Sequence, residues 1–207
     1  MFARTTTVRG DPGAVDDGIE YVRDAVWPML QNMSGCVGMS MLADREAGRC
    51  IITAAWATEE AMRASAESVR DSRSKAAEML RAEEVDVQEW EIAALHRVHP
   101  AGPDACARVI WTEADPSKVD GMVDAFRMSL LPRMEELPGF CSVSLMVDRM
   151  TGRASAAVTY ESRDAMMRAR QMGTALRDDF AAATGARITE VAEFDLAVAH
   201  LRVPEMA

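Results

Sequence analysis

Lysine is nearly missing from this chain: Lys75 and Lys118 are the only two in 207 residues, and no run of basic side chains occurs. The formal charge is −10. Phosphate binding draws on clustered Lys and Arg, so a nucleic-acid surface is not expected. Cysteine is also sparse. Cys36, Cys50, Cys106 and Cys141 form no CxxC pair and have no histidine at metal-ligand spacing, which argues against a metal site. Each falls in a run that reads as a strand, where a free thiol packs as a small hydrophobe. No apolar run approaches the length of a membrane span. Met1-Phe2 leads into a strand-like run rather than a signal peptide. The expectation is a cytoplasmic chain with reduced thiols and no membrane partner. Aromatic residues are few, at 5%, so each one is a candidate worth placing.

Apolar residues in total reach 49%, including 16 methionines. That is ample for a core. Met fills irregular gaps, which suits either plain core packing or an adaptable apolar pocket.

The strongest signal is internal repetition. A shift of 104 positions lays Trp27–Arg49 on Leu131–Arg153 without a gap: Pro28 on Pro132, Gly35 on Gly139, Asp44-Arg45 on Asp148-Arg149, Gly48-Arg49 on Gly152-Arg153. The chain therefore divides into a first copy over 1–97, a connector over 98–104 with two prolines and a glycine, and a second copy over 105–207. Each copy opens with a β-branched strand, 2–9 or 106–113. Asp11-Pro12 and Asp115-Pro116 then read as an N-cap followed by a first-turn proline. Val15, Ile19, Val22, Val26, Leu30 and Met33 follow at helical spacing, as do Val119, Val123, Phe126, Leu130, Met134 and Leu137. Pro28 and Pro132 lie inside these helices and should bend them or end their regular part. Gly35 and Gly139 suit the left-handed position that closes a helix.

Strands over 36–44 and 140–148, hairpin turns, and strands over 50–56 and 154–160 come next. A second helix, capped by Thr58 or Ser162, runs to about Arg81 or Thr184. Long last strands cover 85–96 and 189–200. The order β-α-β-β-α-β is the ferredoxin-like unit. The predicted class is α+β: two tandem ferredoxin-like repeats that pack sheet to sheet, because their strands are apolar on both faces.

Pro132, Pro138-Gly139-Phe140, Asp148, Gly152-Arg153, Tyr160-Glu161-Ser162 and Ala165-Met166 form a further pattern. It resembles the antibiotic biosynthesis monooxygenase (ABM) domain of the dimeric α/β-barrel superfamily. The first copy departs from it, with Ser34-Gly35-Cys36 and Trp56-Ala57-Thr58 at the matching places. The resemblance implies a barrel that usually forms from two chains and here would form within one. It also implies a small apolar pocket between sheet and helices, and activities that range from cofactor-independent oxygenation of polycyclic aromatics to haem degradation or none. Haem-degrading members need a histidine late in the second helix, a tryptophan early in it and an asparagine on the first strand. Those places hold Lys75 and Asp179, Ser65 and Ala169, and no asparagine. Haem degradation of the usual kind is therefore disfavoured, haem on another ligand stays open, and no cofactor is assigned.

The candidate catalytic residues are His96 and His200, at the same place on the last strands, and Arg73 and Arg177 on the second helices. A histidine on an apolar strand face could be a general base or a packed residue bonded to backbone. An inward arginine could hold an anion or pair with a nearby carboxylate. Glu89 and Glu193 repeat on the opposite strand parity, as perturbed interior carboxylates or as solvated ones. Trp27, Trp56, Trp90, Phe126, Tyr160 and Phe194 are candidates for lining a substrate pocket, with core packing as the alternative. The expected function is a cofactor-independent monooxygenase-like protein that acts on or binds a small hydrophobic or aromatic molecule. The alternative is a non-catalytic ligand-binding or stress-associated barrel. The assembly would be a monomeric barrel or a dimer of barrels.

Overall fold

In the computed structural model, residues 1–201 are described. The first repeat runs β1 (Phe2–Arg9), α1 (Val15–Tyr21), α2 (Trp27–Leu30), β2 (Cys36–Asp44), β3 (Arg49–Trp56), α3 (Glu59–Ala64), α4 (Arg70–Met79) and β4 (Glu84–Arg97). The second repeats the order with β5 (Cys106–Glu113), α5 (Val119–Ala125), α6 (Leu131–Met134), β6 (Phe140–Asp148), β7 (Arg153–Tyr160), α7 (Arg163–Arg168), α8 (Arg170–Thr184) and β8 (Arg187–Leu201). The hydrogen-bonded strand order closes on itself as a barrel, β1-β3-β2-β8-β5-β7-β6-β4. The chain is thus an α+β protein of two ferredoxin-like repeats closing an eight-stranded antiparallel barrel.

Two compact units form. One holds Met1–Glu91 with the end of β8 from Asp195; the other holds Ile92–Phe194. Each long last strand therefore starts in one unit and finishes in the other. The first unit's core joins the helix stripe Val15, Ile19, Val22, Val26 and Leu30 to Met39, Met41, Cys50 and Trp56 of the sheet. The second joins Val119, Val123, Phe126, Leu130 and Met134 to Val143, Leu145, Val158 and Tyr160. The four cysteines are free. Burial pushes the Cys50 thiol up to about 12, so it serves as a packed apolar group and not as a nucleophile.

Local chemistry explains the element ends. Asp11 accepts from the Gly13 N–H at 2.8 Å and Asp115 from the Ser117 N–H at 2.9 Å, which opens each first helix on a short 3-10 turn. Pro28 and Pro132 lack the N–H that would continue an α-helix. The chain widens into a π turn just before each, over Val22–Val26 and Phe126–Leu130, a local rearrangement that absorbs the interruption. Gly35 and Gly139 close the helices with φ of +78° and +68°.

The second helices differ from expectation, since each is two pieces. In the first repeat the break spans Ser65–Val69; in the second it is confined to Ala169. Ser65 Oγ donates back to the Met62 carbonyl at 2.7 Å, the local bond by which serine competes with helix continuation. Ala169 offers no such competition, and its helix resumes at once.

Candidate functional site

Arg4 on β1 and Arg108 on β5 are among the few buried charges, 5% and 6% exposed. The strand register sets Arg4 opposite Glu89. Arg4 Nη2 donates to Glu89 Oε1 at 2.6 Å and to the Met62 carbonyl at 2.8 Å, while Nη1 donates to Ser65 Oγ at 3.0 Å. Arg108 Nη2 reaches Glu193 Oε1 at 2.8 Å and the Met166 carbonyl at 3.4 Å. Glu89 and Glu193 are therefore neither idle in solvent nor isolated inside the sheet: each answers a buried guanidinium on the helix-bearing face. The pairing of Arg4 with Glu89 follows from the register between β1 and β4, which the parity within either strand does not give.

Above each of these arginines lies a cavity between sheet and helices. The second-repeat cavity has about 80 Å³ of free volume, several times the roughly 10–15 Å³ one water needs. Its walls are Phe126, Leu130 and Met134 from the first helix region, Ala156 and Val158 from β7, and Leu176 and Phe180 from α8. Arg108, Tyr160 and Arg177 are its main polar groups. The first-repeat cavity, about 60 Å³, has Arg4, Trp56, Ser72 and Arg73 on its walls. Every residue lining it except Met29 has its counterpart, 104 positions on, in the lining of the second. The duplication therefore carried the cavity with it.

Tyr160 is 2% exposed. Burial pushes its hydroxyl above the ordinary phenol range, against an opposing pull from the Arg108 charge. At neutral pH it is a protonated donor. The Arg108 guanidinium lies 5.9 Å from the Tyr160 ring centre. A Cβ placed on Gly173 would stand 3.7 Å from both the Tyr160 hydroxyl and Arg108 Nη1, so this glycine borders the polar end of the cavity. Arg177 Nε donates to Asp178 at 2.9 Å.

The candidate residues fall into three groups. Arg73 and Trp56 line the first cavity; Arg177, Phe126 and Tyr160 line the second. The histidines line neither of these two cavities. His96 Nε2 lies 2.8 Å from Glu135 Oε1 and its ring stacks near Phe140. His200 stacks on Trp27 with ring centres 4.7 Å apart. Trp90 Nε1 donates to Thr5 Oγ1 at 2.9 Å, and Phe194 is fully buried. Missing from the sequence-based candidates were Arg108 and Gly173 as cavity residues. The recurrence of Arg4 at Arg108 was the available signal, and Gly173, facing Val69 in the alignment, gave none.

Burial alone would raise Glu193, but the hydrogen bond and charge of Arg108, then those of Arg170, hold it below the ordinary glutamate range. A carboxyl depressed in the folded state adds stability above its unfolded pKa of about 4.3 and loses it as pH falls through the lower folded value. Urea unfolding should accordingly show a loss of stability below about pH 4.3 that is smaller in Glu193→Gln; equal acid limbs would show that the pair contributes nothing to it.

The haem-ligand positions of the resembled branch are on the surface. Lys75 pairs with Glu78 at 2.9 Å and Asp179 with Arg133 at 3.8 Å, so these residues do not fit an iron site. Among the described residues no group of three or more His, Cys, Asp or Glu is placed to hold a metal. No helix among them is long and apolar enough to cross a membrane.

Two ferredoxin-like repeats that close one barrel, each with a largely apolar cavity under its helices, are the fold that the ABM resemblance implies. Residues 1–79 match the family model described as antibiotic biosynthesis monooxygenase. The chain belongs to the same family as two Mycobacterium tuberculosis proteins, both described as uncharacterized: Rv2558, 49% identical over 207 residues, and Rv2557, 46% identical over 206. The alignments cover 100% of this chain and 87% and 92% of those proteins. Among solved structures, an anthrone oxidase-like protein matches with a TM-score of 0.67 at 12% identity, over 97% of this chain and 91% of that one. A monooxygenase-like protein from Listeria innocua matches at 0.56 and 7%, over 94% of each. At these identities the structures share the fold.

Proposed function

We propose that the chain is a monooxygenase-type protein that takes a small, largely apolar aromatic molecule into the second-repeat cavity and oxygenates it without a cofactor. The carrying observation is that cavity itself: its walls are apolar surfaces from three elements, Arg108 lies beside Tyr160, and Arg177 is also on the lining. Such a site orients a ring by its hydrophobic faces and meets a single oxygen of the ligand with donors. Guanidinium groups beside that oxygen favour its anionic form, enolate or phenolate, in surroundings that exclude water. An electron-rich anion of this kind can reduce molecular oxygen itself. For a methylene substrate, both C–H bonds break and the carbon becomes a carbonyl. One atom of the oxygen molecule forms that carbonyl, and the other leaves as water with the two hydrogens. The substrate supplies all the electrons. Arg177 and Arg108 are the anion partners in this reading and Tyr160 is the neutral donor. His96 and His200 are assigned to packing, since their contacts are Glu135 and Phe140 in one case and Trp27 in the other.

The repeat supplies its own test. Ala156 and Gly173 stand where the first repeat carries Ile52 and Val69, so Ala156→Ile with Gly173→Val should fill the cavity with side chains this fold already accommodates. Anthrone is a suitable electron-rich tricyclic probe. Oxygen uptake matched one to one with anthrone loss, and binding weakened on the order of tenfold or more in the double variant, is the expected result. Binding without oxygen uptake would favour the non-catalytic alternative, and binding unaltered by the variant would remove the cavity from the reaction.

A further inference from the structure

The two cavities share their frame but not their chemistry. Where the second has Ile110, Leu176 and Tyr160, the first has Thr6, Ser72 and Trp56. Arg177 has a partner in Asp178, but the residue equivalent to Asp178 is Ser74. Arg73 consequently lines the first cavity without the carboxylate neighbour that engages its counterpart.

Trp56 adds an independent observation. It is 0% exposed, it lines the cavity, and its Nε1 is buried with no hydrogen-bond partner among the described residues. An indole N–H can only donate, and buried polar groups are nearly always paired. Trp90 shows the ordinary case, with its Nε1 bonded to Thr5. Ser72 Oγ, at the same cavity, donates at 3.0 Å to the sulfur of Met29, a weak acceptor that an oxygen could displace.

We propose that the first-repeat cavity is a separate binding site for a small organic anion, a carboxylate or phenolate about one ring in size, held by Trp56 Nε1, Arg73 and Ser72. Trp56 and Arg73 can only donate, so the occupant must accept. The wall carries no carboxylate, thiol or imidazole but two guanidinium groups, Arg4 and Arg73, so its charge favours an anion over a cation. With a net charge of −10, the chain as a whole would not gather anions, which makes selectivity a local property of this wall. The site stands independently of the oxygenation chemistry proposed for the second cavity.

The experiment uses full-length protein carrying Ala156→Ile and Gly173→Val, so that the second cavity is filled, with benzoate as probe and benzyl alcohol as its neutral counterpart. Calorimetric titration should show one benzoate per chain. Trp56→Phe and Arg73→Met should each weaken it by about tenfold or more, the scale of a hydrogen bond to a charged group. Benzyl alcohol should bind more weakly and be indifferent to Arg73→Met. The Trp56 indole N–H resonance, assigned by its loss in Trp56→Phe, should move on adding benzoate. Arg73→Met leaves no partner stranded, so it reports on the site even if Trp56→Phe folds poorly. Equal affinity for benzoate and benzyl alcohol, an indole resonance that does not respond, or no benzoate binding at millimolar concentration would each overturn the proposal.

Discussion

Replacing Gly152 with alanine is expected to lower stability by about 3 kcal/mol and the melting temperature by roughly 6–12 °C. Gly152 has φ of +75°, where an L side chain costs about 1–2 kcal/mol on conformation alone. The larger part is contact. A Cβ there would meet the Ala114 carbonyl oxygen at 2.0 Å, and because that oxygen is backbone it cannot rotate away. The hairpin between β6 and β7 would have to shift, and with it the start of α5. Gly121 is the matched control. It is an exposed helical glycine with nothing within 4 Å of a Cβ, so Gly121→Ala should add roughly 0.5–1 kcal/mol. Thermal melts of the two variants should therefore move in opposite directions; a Gly152→Ala melt within a degree or two of the parent would refute the argument.

Glu193→Leu should be the most damaging change to an ion pair, at about 3 kcal/mol. Without that carboxylate, the buried Arg108 guanidinium keeps the Met166 carbonyl at 3.4 Å and the neighbouring Tyr160 but loses its buried anion, and a stranded buried charge is what makes such deletions expensive. Glu89→Leu in the first repeat should cost nearer 1 kcal/mol. Glu89 is 44% exposed at its side chain, and Arg4 retains both Ser65 Oγ and the Met62 carbonyl. Urea midpoints for the two variants give the comparison directly. Equal losses would mean that the serine at position 65 does not support Arg4 as its geometry indicates.

The duplicated framework was legible in the sequence because its punctuation repeats: Asp-Pro at each first helix, glycine at each helix end, Asp-x-x-x-Gly-Arg at each hairpin. Those signals are local, and the strands over 2–9, 36–44, 106–113 and 140–148 fall where they predict. Features that depend on distant contacts were less legible. Pro28 announces a disturbance, but its resolution into a π turn depends on the packing of the stripe around it. The break after Ala64 depends on a serine that also serves Arg4 from another strand. Helix α8 ends at Gly185 with φ of +74°, whereas the equivalent turn in the first repeat uses Arg81 at +47°, a residue that gives no stop signal. At the candidate site, the residue types at 73 and 177 are identical. Only the neighbour, Ser74 or Asp178, decides whether the guanidinium is engaged, and that distinction appears once the side chains are placed.

A barrel assembled from two identical chains inherits every substitution twice, so its two pockets remain copies of one another. Here the equivalents sit at separate codons. A serine could replace the aspartate that follows one arginine while the other kept its partner, and a glycine could open one cavity where a valine narrows its twin. Joining the domains thus released the two cavities from symmetry, so that the lining of each can differ without altering the other.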